Sequence, residues 1–290
     1  MSKGACLIVA AILLISFLAV GTFTRPVSCW KNGDPDNNPD YGTHDWIAEH
    51  ALDWLPPVEK QFIVDNLPSY LYGTEVPDTV IGDKTKHHVY YYADHSLQDD
   101  ASAVRAQDEY LAAVEFAATG DWANAAEALG IMSHYISDLA VFGHVMGTVT
   151  AWGSEVNHDD YEAYVNKRTN AYEDEFSSYL SFDGSLSNVS AYDAALTLAF
   201  DTTFDVSGGL NCTWMDQNYN WSNSAFKDRC GESINLAVNL LADVLHTFYT
   251  NAVPEFSASL LLPLFTFLAM CIVVYVKKSK RKIPTLNLHQ

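Results

Sequence analysis

The sequence predicts an all-α fold in which one multi-helix domain lies between two apolar terminal segments. Alanine is frequent, regular alternation of β-branched residues is scarce, and glycine or proline falls between the candidate helices. The stretch between the two apolar segments, residues 30–253, has the length of one domain. Helices are predicted at 44–55, 58–66, 101–119, 122–142, 159–179, 191–204 and 224–250.

Both ends of the 290-residue chain carry the pattern of membrane-directed segments. Lys3 precedes an apolar run at 5–20, and small residues follow shortly before Trp30, which predicts a signal peptide at 1–29. A second apolar run, the transmembrane candidate 257–276, can span about 30 Å of hydrocarbon, and the basic cluster 277–282 follows it. Because positive charge beside a span stays cytoplasmic, we expect a secreted domain anchored to the outer face of the cell membrane by residues 254–290.

The C-terminal segment resembles the sorting signals of archaeal surface proteins. It joins Pro254, Glu255 and Phe256 to the apolar run and the basic cluster. The resemblance implies an archaeal source and a sorting transpeptidase as a partner, which would replace the helix with another anchor. With either anchor, the domain would remain attached to the membrane.

The domain is strongly acidic. Residues 30–253 carry 35 acidic and 9 basic side chains, a formal charge of −26. Such a charge keeps a surface protein soluble in salt. It also repels polyphosphate backbones, whose binding normally requires lysine and arginine contacts, so we expect no nucleic-acid partner.

Five potential metal ligands lie close together in the sequence. His134 and Asp138 are four residues apart on a predicted helix capped by Asp121, so they share one face, and His158 and Glu162 repeat that spacing on the next helix. One His-x3-Asp pair alone is more often an ordinary surface pair. Histidine nitrogens and carboxylates together suit Zn²⁺. The five are His134, Asp138, His144, His158 and Glu162, with successive offsets of 4, 6, 14 and 4.

The domain contains two cysteines, Cys212 and Cys230. Two cysteines in an exported domain most simply form one disulfide. We therefore expect a bridge closing the Gly-, Asn- and Ser-rich segment between them.

The ligand spacings resemble those of the zinc-dependent phospholipase C family, which includes the bacterial broad-range enzymes and the catalytic domain of clostridial alpha-toxin. The sequence from Gly42 to Leu55 resembles the first helix of that family, which opens with a ligand histidine, here His44. Trp30 lies 14 residues before it, where mature family members begin. The resemblance covers roughly residues 30–250 and implies a single multi-helix domain of the same fold.

The resemblance also implies a trinuclear zinc site, with up to three Zn²⁺ per chain, that hydrolyses phospholipids. One ion would be held by the amine and carbonyl of Trp30 with His44 and the shared Asp138. A second would be held by His88, His134 and Asp138, although His87 could exchange roles with His88. The third would be held by His144, His158 and Glu162, and Asp78 would orient or deprotonate the attacking water.

Other functions share this chemistry. Fungal single-strand nucleases have a related three-zinc site, but they place aspartate in the last ligand position, after a longer gap than the one before His158. A phospholipase D-type cut on the other side of phosphorus is a further alternative. A non-catalytic surface protein would keep zinc for folding, yet a closed structural site needs no candidate base such as Asp78. The headgroup, the natural lipid and the oligomeric state are left open by the sequence.

Overall fold

The computed structural model describes residues 30, 41–169, 175–252 and 270. This part of the chain is mostly helical, as predicted, with one short antiparallel strand pair, β1 (Tyr90–Tyr91) and β2 (Leu97–Asp99). The α-helices are α1 (Thr43–Asp53), α2 (Pro57–Val64), α3 (Leu67–Val76), α4 (Ala101–Ala118), α5 (Trp122–Ser137), α6 (His158–Asn166), α7 (Ala191–Phe204), α8 (Cys212–Gln217) and α9 (Ser224–Ala252).

Helix α5 lies at the centre of the domain. It begins after Asp121, whose side chain accepts a hydrogen bond from the Asn124 backbone N–H at 3.3 Å, as the predicted cap requires. Its side chains are almost all buried from Ala125 onward. Helices α1, α3, α4, α7 and α9 pack around it. The core therefore surrounds the helix that carries His134 and ends directly before Asp138.

The backbones of α3 and α5 touch where each helix has a glycine. A Cβ on Gly73 would collide with the backbone of Glu127, and a Cβ on Gly130 would collide with the backbone of Tyr70. The two helices can approach this closely only because both positions lack a side chain. This contact fixes how α3 lies against the part of α5 that leads into the site.

Helix α5 ends earlier than the sequence predicts. The predicted helix ran to residue 142, but α5 stops at Ser137 and is followed by 3₁₀ turns at Asp138–Ala140 and Phe142–Val145. Val141 between them is extended, with φ −95° and ψ 127°. A continuous helix would carry His144 about 9 Å along the axis beyond Asp138. The break instead turns the chain back, so His144 faces Asp138.

Other boundaries differ as well. The helix predicted at 159–179 is divided into α6 and a 3₁₀ turn at Phe176–Tyr179, with residues 170–174 outside the described part. Helices α3 and α8 and the strand pair were not predicted. Each is short. In α3 the second residue is Pro68, and proline in a sequence usually indicates a loop, although it is tolerated in the first turn of a helix.

The predicted disulfide between Cys212 and Cys230 is wrong. Both residues are free and buried, and the Tyr161 hydroxyl donates to Cys230 Sγ at 2.9 Å. The intervening segment is held by aromatic packing instead, because Trp221 lies 5.4 Å from the Tyr161 ring and 4.9 Å from the Phe226 ring. Packing of this kind stabilises the segment without a covalent link.

The predicted signal peptide at 1–29 lies outside the described residues, as does the predicted anchor 257–276 except for Met270. Within the described residues, no helix combines the length and apolar character needed to cross a bilayer.

Candidate metal centre

Seven buried side chains and one partly exposed carboxylate meet at the end of α5. Three sets of ligand atoms each lie within 4.8 Å of one another, and each set could hold a metal ion. We call His44, His87, His134 and Asp138 the Asp138 group, and His144, His158 and Glu162 the Glu162 group. The three sets are His44, Asp78 and His134; His87, His134 and Asp138; and His144, His158 and Glu162.

Asp138 has imidazoles on both of its oxygens. Oδ1 lies 3.3 Å from His44 Nε2 and 3.6 Å from His144 Nε2. Oδ2 lies 2.7 Å from His87 Nδ1 and 3.3 Å from His134 Nε2. The Asp138 side chain is fully buried. Both oxygens of this one carboxylate thus face imidazole nitrogens.

The Glu162 group is built by α6 and by the 3₁₀ turn Phe142–Val145 that follows α5. Glu162 Oε1 lies 2.7 Å from His158 Nε2 and 3.2 Å from His144 Nε2. Gly143 is required here, because a Cβ at that position would collide with the His158 ring. Asp216 fixes the start of α6 by accepting the backbone N–H groups of Val156 and Asn157 at 2.9 and 3.0 Å.

The far nitrogen of several imidazoles is held by an oxygen. His134 Nδ1–H donates to the Thr74 carbonyl at 2.7 Å, so its Nε2 is the free ligand atom. His44 Nδ1 lies 2.7 Å from Ser137 Oγ, whose own proton is donated to the His134 carbonyl. His158 Nδ1 lies 3.3 Å from Glu155 Oε1. In each case Nε2 faces the cluster.

Trp30 and Asp78 lie at the edges of the Asp138 group. The Trp30 ring is buried, with its centroid 5.7 Å from that of His44. Asp78 Oδ1 is 3.8 Å from His134 Nε2, and the Asp78 side chain is 25% exposed. Asp78 follows α3 in a π-helical turn, Pro77–Ile81, a local widening that turns its carboxylate toward the cluster while leaving it open to solvent.

The family resemblance favoured His88 as a ligand, but the structure places His87 in the cluster. His88 Nε2 lies 3.3 Å from Asp99 Oδ2, and its ring stacks on Tyr90 at 4.2 Å. The two adjacent side chains point to different sides, and only His87 faces Asp138. The backbone hydrogen bond from Val89 N to His144 O, 3.2 Å long, fixes that choice.

Ionisation in the Asp138 group is strongly coupled. Burial lowers the pKa of His44 well below its usual value, and the neighbouring His134 lowers it further. Burial also disfavours charge on His134, but Asp138 and Asp78 outweigh it and raise the pKa of His134 to about 9. Burial opposes the charge of Asp138, yet His134 and His144 hold its pKa well below the usual range. Of the two stacked rings, His134 is therefore the one on which a positive charge is favoured.

In the Glu162 group, burial disfavours a charged His158, but Glu162 and Glu155 prevail and raise the pKa of His158 to about 10. At neutral pH a proton thus occupies the position that a cation would take.

The donor set fits Zn²⁺. Three buried ligand atoms, His44 Nε2, Asp138 Oδ1 and Glu162 Oε2, have no hydrogen-bond partner among the described residues. Buried polar atoms left in this state are costly, so they indicate a missing partner. Imidazole nitrogen and carboxylate oxygen are ligands that zinc takes readily, and a cation would satisfy all three atoms.

Comparison with known proteins agrees with this chemistry. A family model described as zinc dependent phospholipase C matches residues 43–204, more than half of the chain. The chain belongs to the zinc-dependent phospholipase C family. It is accordingly a phospholipase C-like hydrolase. No curated protein matches it by sequence.

Solved structures similar to this chain include alpha-toxin from Clostridium absonum, with a TM-score of 0.53 and 18% identity. The match covers 77% of this chain and 67% of the toxin. A second alpha-toxin, from an avian strain of Clostridium perfringens, has a TM-score of 0.47, 15% identity and coverage of 78% and 67%. The first likeness shows the fold alone.

One feature of the site could not be predicted from the sequence. Asp83 lies 3.2 Å from His87 Nε2, and Arg105 and Tyr135 contact Asp83 in turn. The sequence offered a weak signal, because Asp83 precedes His87 by four residues and follows a glycine. Nothing in the spacing distinguished it from a surface acid.

Proposed function

We propose that this chain is an extracytoplasmic, membrane-anchored phosphodiesterase that hydrolyses phospholipids, in the manner of a phospholipase C, at a trinuclear zinc site. The observation that carries the proposal is the convergence of separate parts of the chain on Asp138 and Glu162. An acid that faces four imidazoles, next to a second acid that faces two, is the arrangement expected for several closely spaced cations.

Each ion has a ligand set that the geometry supports. One would be held by His44 and Asp138 with the free amine and carbonyl of Trp30, whose ring lies against His44. The second would be held by His134, His87 and the second oxygen of Asp138. The third would be held by the Glu162 group: His144, His158 and Glu162.

When bound, the cations would bind the nonbridging oxygens of an anionic phosphodiester and activate water for attack on phosphorus. Asp78 would orient that water or accept its proton, because its carboxylate lies at the solvent-facing edge of the cluster. The buried imidazoles would exclude bulk water from the far side and would be kept in place by their hydrogen bonds to Thr74, Ser137 and Glu155.

The charge of the domain favours lipid over nucleic acid. With 35 acidic and 9 basic side chains in residues 30–253, even three bound divalent cations leave a strongly negative protein. A polyphosphate chain would be repelled along its length. A single headgroup phosphodiester would present one charge, and that charge would enter the cationic site directly.

The proposed location rests on the sequence of both ends of the chain. Cleavage of a signal peptide before Trp30 would free the amine proposed as a ligand. The apolar segment 257–276, or an anchor substituted for it by a sorting transpeptidase, would hold the site close to membrane lipid.

The deciding experiment is a product assay on the zinc-loaded protein with mixed phospholipids and with single-stranded nucleic acid as separate substrates. Release of diacyl- or dialkylglycerol is the expected result. Release of a free headgroup with phosphatidic acid would indicate a cut on the other side of phosphorus, and release of nucleotides would indicate a nuclease. A Glu162→Gln variant, prepared in parallel, should lose the activity if it belongs to this site.

A further inference from the structure

Behind His87, on the side away from Asp138, lies a second carboxylate. His87 Nδ1 is 2.7 Å from Asp138 Oδ2, and its Nε2 is 3.2 Å from Asp83 Oδ1. The ring therefore bridges two acids, one in the cluster and one outside it. The His87 side chain is 3% exposed, so little space remains for other ring orientations.

Asp83 is itself held by two donors from different helices. The Tyr135 hydroxyl of α5 lies 2.9 Å from both carboxylate oxygens. Arg105 Nε of α4 lies 3.2 Å from Asp83 Oδ2, while another nitrogen of the same guanidinium reaches Glu109 at 2.9 Å. The Arg105 guanidinium also lies over the Tyr135 ring, 5.0 Å from its centroid. These contacts tie the loop carrying Asp83 to the core of the domain.

The local backbone brings Asp83 and His87 to the same side. Gly82 ends the π-helical turn with φ 66° and ψ 28°, a left-handed conformation that glycine adopts without strain. The next residues form a turn in which Lys86 N donates to Asp83 O at 2.7 Å. The carboxylate and the imidazole four residues later consequently face each other.

A neutral imidazole has one N–H and one lone pair, and the group that accepts the N–H decides which nitrogen can bind a metal. Carboxylates in this position orient ligating histidines and raise their basicity. We propose that Asp83 is a positioning residue of the metal centre: it accepts the Nε2–H of His87 and so presents Nδ1 to the cation shared with His134 and Asp138. This inference rests on the zinc centre proposed above.

The test is chelator competition on the full-length, zinc-loaded protein and its variants. Asp83→Ala should weaken one zinc by about 10- to 100-fold and leave the other two unchanged. Asp83→Asn keeps an oxygen that can accept the Nε2–H, so its loss should be smaller. In the cobalt-substituted protein, Asp83→Ala should shift the visible absorption of one ion, whereas a general loss of stability would leave the band positions in place.

Asp99→Ala is the matched control, because Asp99 forms the same kind of pair with the neighbouring His88, 3.3 Å from its Nε2 and away from the cluster. It should leave every zinc affinity unchanged. Tyr135→Phe removes a donor to Asp83 but keeps the ring, and should weaken the same single zinc by less than Asp83→Ala does, which provides a test if the alanine variant fails to fold.

Normal zinc affinity in both Asp83→Ala and Tyr135→Phe would overturn the inference and leave the zinc centre intact. An equal loss in Asp99→Ala and Asp83→Ala would also overturn it. Failure of the parent protein to bind zinc would remove the proposed function together with this inference.

Discussion

The Asp138 group and the Glu162 group both bring imidazoles and a carboxylate within metal-binding distance, but they draw on different parts of the chain. The Asp138 group gathers side chains from α1, the loop before β1, α5 and the 3₁₀ turn after α5, and it exists only when the helices are packed. The Glu162 group comes from one short stretch of the chain, residues 144–162, which includes part of a 3₁₀ turn and the first half of α6. Asp138 serves two proposed ions, whereas Glu162 serves one. We therefore expect a substitution of Asp138 to weaken the binding of two ions, and a substitution of Glu162 to weaken the binding of one.

The largest expected effect comes from Asp138→Asn. It removes the charge that faces four imidazoles, so we expect loss of both ions that share the residue and a fall in turnover on the order of 10³-fold or more. Zinc content by elemental analysis and phospholipid turnover measure the result. Glu162→Gln should lose one ion instead; if the two variants lose the same amount of zinc, the distinction between the two groups is wrong.

Asp78→Asn should separate chemistry from metal binding. Asp78 lies at the exposed edge of the cluster, so we expect the zinc content to stay near that of the parent while turnover falls by about 10²- to 10⁴-fold, the usual contribution of a general base. The measurement is turnover at saturating lipid alongside elemental analysis. Undiminished turnover would remove Asp78 from the mechanism, and lost zinc would make it a ligand.

Gly143→Ala should affect the Glu162 group alone. The added methyl would meet the His158 ring, so we expect a destabilisation of about 1–3 kcal/mol and weaker binding of one ion. Thermal unfolding gives the first quantity and chelator competition the second. Weakening of the ions at Asp138 would show that the two groups are not independent.

The smallest expected effect is the pH dependence of zinc binding at the Glu162 group. The pKa of His158, raised to about 10, means that this imidazole is charged at pH 8 and must lose its proton when zinc binds. Zinc affinity at the Glu162 group should therefore rise as the pH increases toward 10. Calorimetry in buffers of different ionisation enthalpy should detect about one proton released there, a consequence of that pKa.

Glu155→Gln sharpens this test, because Glu155 is one of the acids that raise the pKa of His158. In the variant, proton release should decline at a lower pH than in the parent, because the pKa of His158 would be lower. An unchanged dependence of proton release on pH would mean that Glu155 has no part in setting the charge of His158.

The sequence predicted the parts of the site that follow helical periodicity. His134 with Asp138, and His158 with Glu162, could be paired from their spacing because each pair lies on or at the end of one helix. The choice between His87 and His88 could not be made, because adjacent residues differ only in which side the folded chain presents. Asp83 was missed for a related reason: its role depends on Arg105 and Tyr135, which lie far from it in sequence.

The fold followed the same division. Long helices with clear periodicity, such as α7 and α9, were predicted within two residues of their ends. The end of α5 was not, because helix propensity continues past Ser137 while the tertiary structure requires a break at Val141. The predicted disulfide was wrong because neither the cellular compartment nor the number of cysteines determines where each thiol points. In the folded chain the Cys230 thiol faces Tyr161.

The paired glycines Gly73 and Gly130 have a consequence for how this protein can evolve. They set the separation of two helices, and the carbonyl of Thr74, the residue next to Gly73, accepts the proton of His134. Any larger residue at either glycine would push the helices apart and withdraw that carbonyl. Selection on catalysis should therefore reach two positions that contact neither substrate nor metal, and substitutions there should survive only when the opposite helix changes as well.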